Sequence, residues 1–363
     1  LGRVWEFVNA SRARIAEQHR RLGASADWDR EAFTLDEERQ RAVRQTFKRL
    51  YDDGLIFRGE RMINWDPVGQ TALSDLEVEY RDVESSFWYV RYPALDEKGD
   101  ETDESITIAT TRPETIPADT AVAVHPEDER WQHLIGRTVM VPTSGRAVPV
   151  IADEAIDMES GSGALKVTPG HDPIDFEIGE RHGLELVNIL APDGTLNEHA
   201  GQYEGLDRFE ARARVISDLE ARGLIEKIEP HSHAVGHSQR SGAVVEPIVS
   251  EQWWVSVAPL AEPAIKAVRD GRITFVPKRF ERTYLHWMEN IRDWCISRQI
   301  WWGHRIPVWY CDSCNEMTVA VEDPESCPQC NGYLRQDEDT LDTWFSSGLW
   351  PHSTLGWPDD SAQ

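Results

Sequence analysis

Apolar residues recur at helical spacing in two segments of the chain. Thr34 stands three residues ahead of Glu37, the reciprocal pairing of a capping box, so the sequence predicts a helix that begins here. Gly54 marks its end, because a glycine readily takes the left-handed conformation that closes a helix. Phe209–Gly223 repeats this design with a second stripe and a second glycine stop. The stripe of the first helix consists of Val43, Phe47 and Leu50.

From about Ser86 the pattern changes to short runs rich in β-branched and aromatic residues, with Pro, Gly and Asp between them. Such runs predict strands joined by turns, and therefore a β-rich region with a few helices. The predicted strands are Phe87–Tyr92, Ile106–Thr110, Ala121–Val124, Thr138–Val141, Val148–Ile151, Ala164–Thr168 and Leu184–Leu190.

A third region begins near Glu251 and is rich in Trp. Two adjacent pairs, Trp253–Trp254 and Trp301–Trp302, are expected to be buried by packing, with ligand stacking as the alternative. Over the whole chain 40% of the 363 residues are hydrophobic and 15 are Trp. This composition excludes a disordered or fibrous protein, and the length predicts two or three domains.

Acidic residues outnumber basic residues by 64 to 38, which gives the chain a net charge of -26. This balance excludes a uniformly basic nucleic-acid clamp, so a polyanionic partner must be met by local clusters of Arg. The sequence contains no apolar run that approaches the roughly eighteen residues needed to span a bilayer. We therefore expect no membrane partner.

Four of the five cysteines form two CxxC pairs, Cys311 with Cys314 and Cys327 with Cys330, separated by twelve residues. This is the spacing of a ribbon that holds zinc tetrahedrally with four thiolates and no open position, so we predict a structural Zn²⁺. Two disulfides or four unliganded thiols are the alternatives. Cys295 lies in a segment that reads as helical and Trp-rich, and we expect it to be an ordinary buried thiol.

Several motifs of the chain resemble those of the class I aminoacyl-tRNA synthetases, and among these the valyl enzymes are the most similar. Residues 302–307 read WGHRIP, whereas the isoleucyl enzymes usually carry a run like WGVPIP. The matching segments follow the family's order and cover nearly the whole chain. They are Asn64–Pro67, Thr71–Tyr80, Thr110–Val122, Trp294–Tyr310 and Leu341–Ser347.

The resemblance implies a multidomain α/β protein, in which a partial Rossmann-type catalytic domain carries an inserted β-rich α+β editing domain and a small zinc ribbon. The family's HIGH and KMSKS motifs have no counterpart here, so we expect an internal fragment, with these motifs upstream of Leu1 and downstream of Gln363. The expected ranges are 1–85 for the catalytic domain and the entry to the insertion, 86–232 for the editing domain, 233–305 for the return to the catalytic domain, 306–335 for the zinc ribbon, and 336–363 for the start of the second catalytic half.

The activity implied is ATP-dependent joining of valine to tRNA(Val), with hydrolysis of mischarged Thr-tRNA(Val) as post-transfer editing. ATP and Mg²⁺ would serve the full-length enzyme only, and the fragment alone would retain editing. We further expect a cytoplasmic monomer whose partners are tRNA(Val), valine as substrate and threonine as error. The isoleucyl enzyme, which would discharge valine, and a non-enzymatic tRNA-binding module with a zinc ribbon are the alternatives.

Two polar runs are candidates for the editing site, and in one of them Lys166 and Thr168 lie two apart on a predicted strand, on the same side. Asp172 and Asp175 follow at a predicted helix start. By resemblance, Asp175 would hold the α-ammonium of the threonyl group, while Lys166, Thr168 and Asp172 would shape the hydroxyl pocket and position water. Arg112 and Thr115 would contact the terminal adenosine and the ester.

Some of these residues also have a purely structural explanation. The two aspartates could be a helix-start pair favoured by the helix dipole, and Lys166 could lie on the exposed face of its strand. His171 could be a general base or a turn residue. Because no Ser-His-Asp or Cys-His arrangement is evident, we favour direct attack by an ordered water over a covalent intermediate.

Outside this region, Trp344 matches a residue that lines the family's valine pocket, with core packing as the competing explanation. Some family members hold a second zinc at the base of the insertion. The corresponding positions here are Asp66, Gly69, Ser238 and Ser241, so we predict that this site is lost. Three nearby histidines are expected to lie in a solvated loop and not to bind metal. They are His231, His233 and His237.

Overall fold

The computed structural model describes residues 1–359, so the last four residues of the predicted range 336–363 lie outside the described part. The helices are α1 (Gly2–Arg21), α2 (Glu37–Asp52), α3 (Pro173–His182), α4 (Arg208–Ala221), α5 (Ala258–Arg269), α6 (Arg279–Glu289), α7 (Thr343–Ser347) and α8 (Trp350–Ser353). The strands are β1 (Ile56–Asp66), β2 (Thr71–Leu73), β3 (Val78–Leu95), β4 (Glu101–Thr110), β5 (Ala121–Val124), β6 (Thr138–Met140), β7 (Ala147–Ala152), β8 (Ala164–Val167), β9 (Ile225–Ser238), β10 (Glu246–Val255), β11 (Trp294–Cys295), β12 (Ser297–Arg298), β13 (Val308–Cys311), β14 (Met317–Val319), β15 (Leu334–Gln336) and β16 (Thr340–Leu341).

The chain divides into two compact units. The first consists of Leu1–Phe57 and the described residues from Trp253 onward, and the second is Arg58–Gln252. The chain passes between the units within β1 and within β10. Helices with parallel and antiparallel strand pairs make this a multidomain α/β protein, as the sequence predicted. The five predicted domain ranges stay predictions.

The core of the first unit forms on the apolar face of α2. Phe47 packs edge-on against Trp253, with their ring centroids 5.5 Å apart, and Val43 joins the same buried cluster. β13 pairs with β14 and β15 to form a separate three-stranded sheet that carries the cysteine pairs.

The capping residue of α2 differs from the predicted one. Asp36 caps the helix by accepting a hydrogen bond from the Arg39 amide at 2.9 Å, and its second oxygen accepts one from the Phe33 amide at 3.0 Å. A carboxylate can satisfy amides on both sides of a helix start, so Asp36 displaces Thr34 from this role. The predicted end is confirmed, because Gly54 is left-handed with φ of 72°.

The second unit is organised around a mixed sheet with the strand order β4-β3-β6-β7-β5-β8, in which β9 also pairs with β3. β5 is parallel to β7 and antiparallel to β8. All four residues of β5 are buried, and the sheet packs on α3 through Ile178. This arrangement places the end of β8 beside the start of α3.

The predicted strand Leu184–Leu190 is wrong, because in this segment only an isolated bridge joins Leu190 to Leu196. Its amides have other partners: Ile189 donates to the His171 ring at 2.9 Å, and Leu190 donates to the Asn188 side chain at 2.9 Å. With those donors engaged, the segment lacks the ladder bonds that a strand needs.

Three smaller predictions also need correction. Trp301 is 70% exposed, although Trp253 and Trp254 are buried as expected. Cys295 is buried as expected but lies in a strand, not a helix. The predicted histidine loop is part of β9, which pairs with β3 along its length.

None of the helices within residues 1–359 combines the length and the apolar character needed to cross a membrane.

Candidate functional site

The Lys166 side chain lies at the centre of a buried polar cluster in the second unit. Its Nζ donates to Thr115 Oγ1 at 2.8 Å and to Thr168 Oγ1, and lies 3.3 Å from Asp119 Oδ1. Lys166 therefore points inward and not to solvent, which removes the exposed-face explanation. We call this set the Lys166 cluster; its members are Tyr92, Thr115, Asp119, Lys166, Thr168 and Asp175.

Asp119 and Tyr92 are the two members of the cluster that the sequence did not indicate as site residues. Asp119 is the charged one of the two. Its carboxylate is fully buried and accepts hydrogen bonds from the Tyr92 hydroxyl at 2.6 Å and the Thr168 hydroxyl at 2.8 Å. Burial raises the pKa of Asp119, while the Lys166 ammonium acts to lower it. The position of Asp119 two residues before the fully apolar segment Ala121–Val124 was the available signal, since a carboxylate at such a place needs a buried partner.

Asp175 joins the cluster through the backbone. Its Oδ2 accepts a hydrogen bond from the Thr168 amide at 2.8 Å. Burial, followed by the charge of the nearby Asp172, raises the pKa of Asp175 to about 7, although Lys166 acts in the opposite direction. Asp172 itself is the N-cap of α3 and accepts from the Ile174 amide at 2.8 Å. The aspartates thus differ: Asp172 caps the helix and Asp175 is buried.

The sequence allows two roles for His171, a general base or a turn residue. Its ring is almost completely buried, and Nε2 accepts the Ile189 amide at 2.9 Å. Burial, with the charges of Arg112 and Lys166, lowers the pKa of His171 to about 3. The ring is therefore neutral at physiological pH, and the lone pair of Nε2 is already engaged. This geometry favours the structural interpretation.

Arg112 opens the short helix Pro113–Ala118 next to the cluster, and Thr115 Oγ1 donates to its carbonyl at 3.0 Å. Its guanidinium donates to Glu114 at 3.2 Å, to the His171 carbonyl at 3.0 Å and to Glu246. Two further arginines contact the same carboxylates. We call these five charged residues the Arg112 network: Arg112, Glu114, Arg208, Arg212 and Glu246.

Trp344 lies in α7 of the first unit and is 56% exposed, so it is not a core residue there. Asp342 caps this helix through the Trp344 amide at 3.1 Å. Asp342 also forms a buried ion pair with Arg298 at 2.6 Å. The structure thus fixes the start of α7 and leaves the Trp344 indole accessible.

The four cysteines of the CxxC pairs converge in the first unit. Their Sγ atoms all lie within 4.8 Å of one another, with Cys311 and Cys330 3.5 Å apart and Cys314 and Cys327 3.6 Å apart. Four sulfurs around a zinc with Zn–S bonds near 2.3 Å would be about 3.8 Å apart, so the donor set fits this metal.

Each cysteine pair is followed by the same backbone turn. Asn315 and Asn331 both adopt φ of 58°, and their amides donate to the carbonyls of Cys311 and Cys327 at 2.9 and 2.8 Å. Left-handed Asn residues are tolerated in such turns because the short polar side chain can bond locally. Two turns of the same conformation therefore direct the four thiols toward a common point.

The positions predicted for a lost second metal site also come together, but around a carboxylate. Asp66 accepts hydrogen bonds from Ser238 Oγ at 2.7 Å, Ser241 Oγ at 2.9 Å and the amides of Val68 and Gly69 at 3.0 and 2.9 Å. No thiol is present in this group, which we call the Asp66 knot. Despite the cost of burial, these four donors lower the pKa of Asp66.

The family model of the class I tRNA synthetases (I, L, M and V) matches residues 1–363, and the chain therefore belongs to this family. The chain is similar to curated valine–tRNA ligases. That of Symbiobacterium thermophilum is 57% identical over 363 residues, covering 100% of this chain and 39% of the relative. That of Dehalococcoides mccartyi is 57% identical over 362 residues, covering 99% and 40%. The valine–tRNA ligase of Bacillus licheniformis is 56% identical over 360 residues, also covering 99% and 40%.

The chain thus spans about 40% of the length of the curated relatives it matches. Among solved structures, the ternary complex of Agrobacterium radiobacter K84 agnB2 LeuRS with tRNA and LeuAMS aligns over 98% of this chain and 49% of that chain. Its sequence identity is 18% and its TM-score 0.39. The resemblance to the class I family and to its valine enzymes, first identified from motifs, is confirmed by the family model and the relatives.

Proposed function

We propose that this chain is the part of a cytoplasmic valine–tRNA ligase that hydrolyses threonine wrongly attached to tRNA(Val). In the whole enzyme, ATP and Mg²⁺ would serve the joining of valine to the same tRNA. The region 86–232 would be the editing domain, inserted into a partial Rossmann-type catalytic domain. The buried Lys166 cluster is the observation that supports the proposal best, because a core needs no such concentration of ionisable groups.

The chemical need for the cluster follows from the two amino acids. Threonine replaces one methyl group of valine by a hydroxyl of nearly equal volume, so an apolar pocket discriminates poorly between them. A second site can use the hydroxyl itself, because buried polar groups that pair with it would be left unpaired when valine enters. The Lys166 ammonium and the Thr115 and Thr168 hydroxyls are buried polar groups that now bond to one another and to Asp119, and the threonyl hydroxyl would replace one of these bonds where the valine methyl group could not.

Roles can be assigned to the individual groups. Asp175 would bind the α-ammonium of the threonyl group when ionised, and Lys166 and Thr168, with Asp172 at the rim, would form the hydroxyl pocket and position the attacking water. Asp119 would hold Lys166 in place through its carboxylate. Arg112 and Thr115 would contact the terminal adenosine and the ester. Since the His171 Nε2 lone pair is engaged, we assign the ring no role as base.

The experiment is deacylation of Thr-tRNA(Val) by the isolated chain, with Val-tRNA(Val) as the substrate control. We expect Asp175→Ala to abolish turnover while leaving tRNA binding intact. The exposed Asp103 provides the matched control, because Asp103→Ala removes a carboxylate from the same unit outside the cluster. If wild type and Asp175→Ala are equally inert but both bind tRNA, a non-enzymatic binding module is the better description.

Specificity needs its own test, because an isoleucyl editing site would release valine. Release of valine from Val-tRNA(Ile), with Thr-tRNA(Val) untouched, would overturn the valine assignment.

The Cys311–Cys330 ribbon would hold one structural Zn²⁺ through four thiolates, with no position open for catalysis. The metal would contribute folding energy to residues 306–335 and take no part in the hydrolysis.

A further inference from the structure

The Arg112 network is more buried and more extensively bonded than an ion pair on the protein surface. Glu114 and Glu246 are almost completely buried, and Glu246 is only 3% exposed. Arg212 donates to Glu114 through two nitrogens, at 2.7 and 2.8 Å. Buried charges of this kind are tolerated only when they are paired, so each member depends on the others for its position.

Glu246 uses its two oxygens for two different arginines. Oε2 accepts from Arg112, and Oε1 lies 2.8 Å from Nε of the buried Arg208. Glu246 therefore acts as a bridge: it forms a close ion pair with Arg208 at the start of α4, without hydrogen-bond geometry, and accepts a hydrogen bond from Arg112. Glu246 begins β10, outside the predicted editing range 86–232, so its link to the site is visible only in the structure.

The network leaves one edge of Arg112 for a ligand. A guanidinium has five N–H groups, and within residues 1–359 three of these are engaged, by Glu114, the His171 carbonyl and Glu246. The Arg112 side chain is still 25% exposed. The two N–H groups that remain on this partly exposed guanidinium suit the ribose and phosphate oxygens at the end of an RNA, because the guanidinium fork donates in two directions.

We propose that Glu246, braced by Arg208, is a positioning residue that holds Arg112 with its free edge toward the 3′-terminal nucleotide of the tRNA. This inference rests on the proposed function. Glu246 itself touches no substrate; its effect passes entirely through Arg112. Orientation of the guanidinium in advance spares the side-chain entropy that would otherwise be lost on binding.

Substitution by glutamine separates charge from shape. In Glu246→Gln the side chain keeps its size, but its NH₂ group must face either Arg112 or Arg208, both of which only donate. We expect KM for Thr-tRNA(Val) to rise about 10-fold, the worth of one charge-assisted hydrogen bond, with kcat nearly unchanged. Glu246→Asp retains the charge at a shorter reach and should restore part of the loss. Glu251→Gln on the same strand is the matched control, because Glu251 is half-exposed and pairs with Arg58 at 3.1 Å.

A double-mutant cycle tests whether Glu246 acts through Arg112. If it does, Glu246→Gln adds nothing to Arg112→Ala, whereas a general structural role would give additive losses and a lower Tm for the double variant. Arg208→Lys, which alters only the brace, should weaken binding in the same direction and provides a second variant should Glu246→Gln fold poorly.

Binding separates failure of this inference from failure of the proposed function. We would compare the affinities of the chain for tRNA(Val) ending in CCA and for the same tRNA lacking the terminal adenosine. We expect wild type to prefer the complete end and Glu246→Gln to lose the preference. If the wild-type chain prefers the complete tRNA end but does not hydrolyse Thr-tRNA(Val), only the proposed hydrolytic function is refuted. Absence of discrimination in wild type, or its persistence in Glu246→Gln, overturns the positioning role.

Discussion

The Cys311–Cys330 ribbon and the Lys166 cluster gather reactive groups in opposite ways. In the ribbon, four like ligands meet, and as thiolates they would repel one another unless a cation from outside the chain lies between them. In the Lys166 cluster the cation belongs to the chain, and Asp119 and two hydroxyls surround it. The first region would therefore need a metal to be complete, whereas the second already contains its own cation.

The same difference explains why one region was found from the sequence and the other only in part. The ribbon ligands come from two short turns of identical spacing. The Lys166 cluster draws on separate segments, and Lys166 and Asp119 are 47 residues apart in sequence. The spacing of nearby residues therefore predicts the cysteine ribbon, but it cannot predict the Lys166 cluster.

Removal of the metal should have the largest effect, because four thiolates would then face one another with no cation between them. We expect about one zinc per chain by mass spectrometry under native conditions. Cys311→Ser should lose the zinc and unfold the ribbon, and a strong chelator should do the same to wild type, with hydrogen exchange rising across residues 306–335. Cys295→Ser is the matched control, since this buried thiol lies outside the set. A folded ribbon without metal would contradict the comparison.

Removal of the Lys166 ammonium should have the next largest effect. Lys166→Met leaves the buried Asp119 carboxylate without its ammonium, and we expect a loss of roughly 3–5 kcal/mol in the free energy of unfolding, together with loss of hydrolysis. Urea denaturation measures the first and deacylation the second. Lys227→Met, which removes an exposed lysine, should leave both unchanged. Equal stability of the two variants would show that the cluster does not depend on its own cation.

Because the pKa of Asp175 is raised, the stability that the Lys166 cluster gives to the protein should depend on pH. With a pKa of about 7 in the folded chain and an ordinary value near 3.8 in the unfolded one, the carboxyl is held protonated by folding, so its ionisation costs stability as pH rises from about 4 to about 7. Asp175→Asn should therefore become more stable relative to wild type over this range, by an amount on the order of a few kcal/mol. Thermal denaturation of both proteins at several pH values measures this difference.

Hydrolysis should show the opposite trend, because the α-ammonium pairs only with an ionised Asp175. After subtraction of spontaneous ester hydrolysis, the wild-type rate should rise through pH 7, while Asp175→Asn remains low throughout. A stability difference that does not change with pH would refute the raised pKa.

Disruption of the Asp66 knot should have the smallest effect of these changes. The knot is also a site without thiols, which makes it a useful contrast to the cysteine ribbon. Asp66→Ala leaves two serine hydroxyls and two amides without their acceptor, at a cost of about 1–3 kcal/mol in the free energy of unfolding. Because the knot needs no metal, a chelator should change neither wild type nor variant in the second unit. Chelator-dependent protection of the knot in hydrogen exchange would contradict this.

Sequence patterns were most reliable where the signal was local. The helix before Gly54, the short buried strand Ala121–Val124 and the α3 start at Asp172 are present as predicted. Thr34 was the wrong cap because Asp36, two residues later, offers two acceptor oxygens instead of one hydroxyl. The prediction of a strand at Leu184–Leu190 was wrong for a different reason. The ring of His171, which lies outside this segment, accepts a hydrogen bond from the Ile189 amide, so this amide is not available to a neighbouring strand.

The sequence by itself determined the motifs of the family, the two CxxC pairs and the fact that Lys166 and Thr168 lie on the same side of one strand, because each of these depends on residues a few positions apart. The tertiary structure alone decided that Asp119 balances Lys166 and that Glu246, 134 residues from Arg112, bridges it to Arg208. Whether a buried carboxylate has a partner depends on which distant segments share its interior, and no local pattern carries that information.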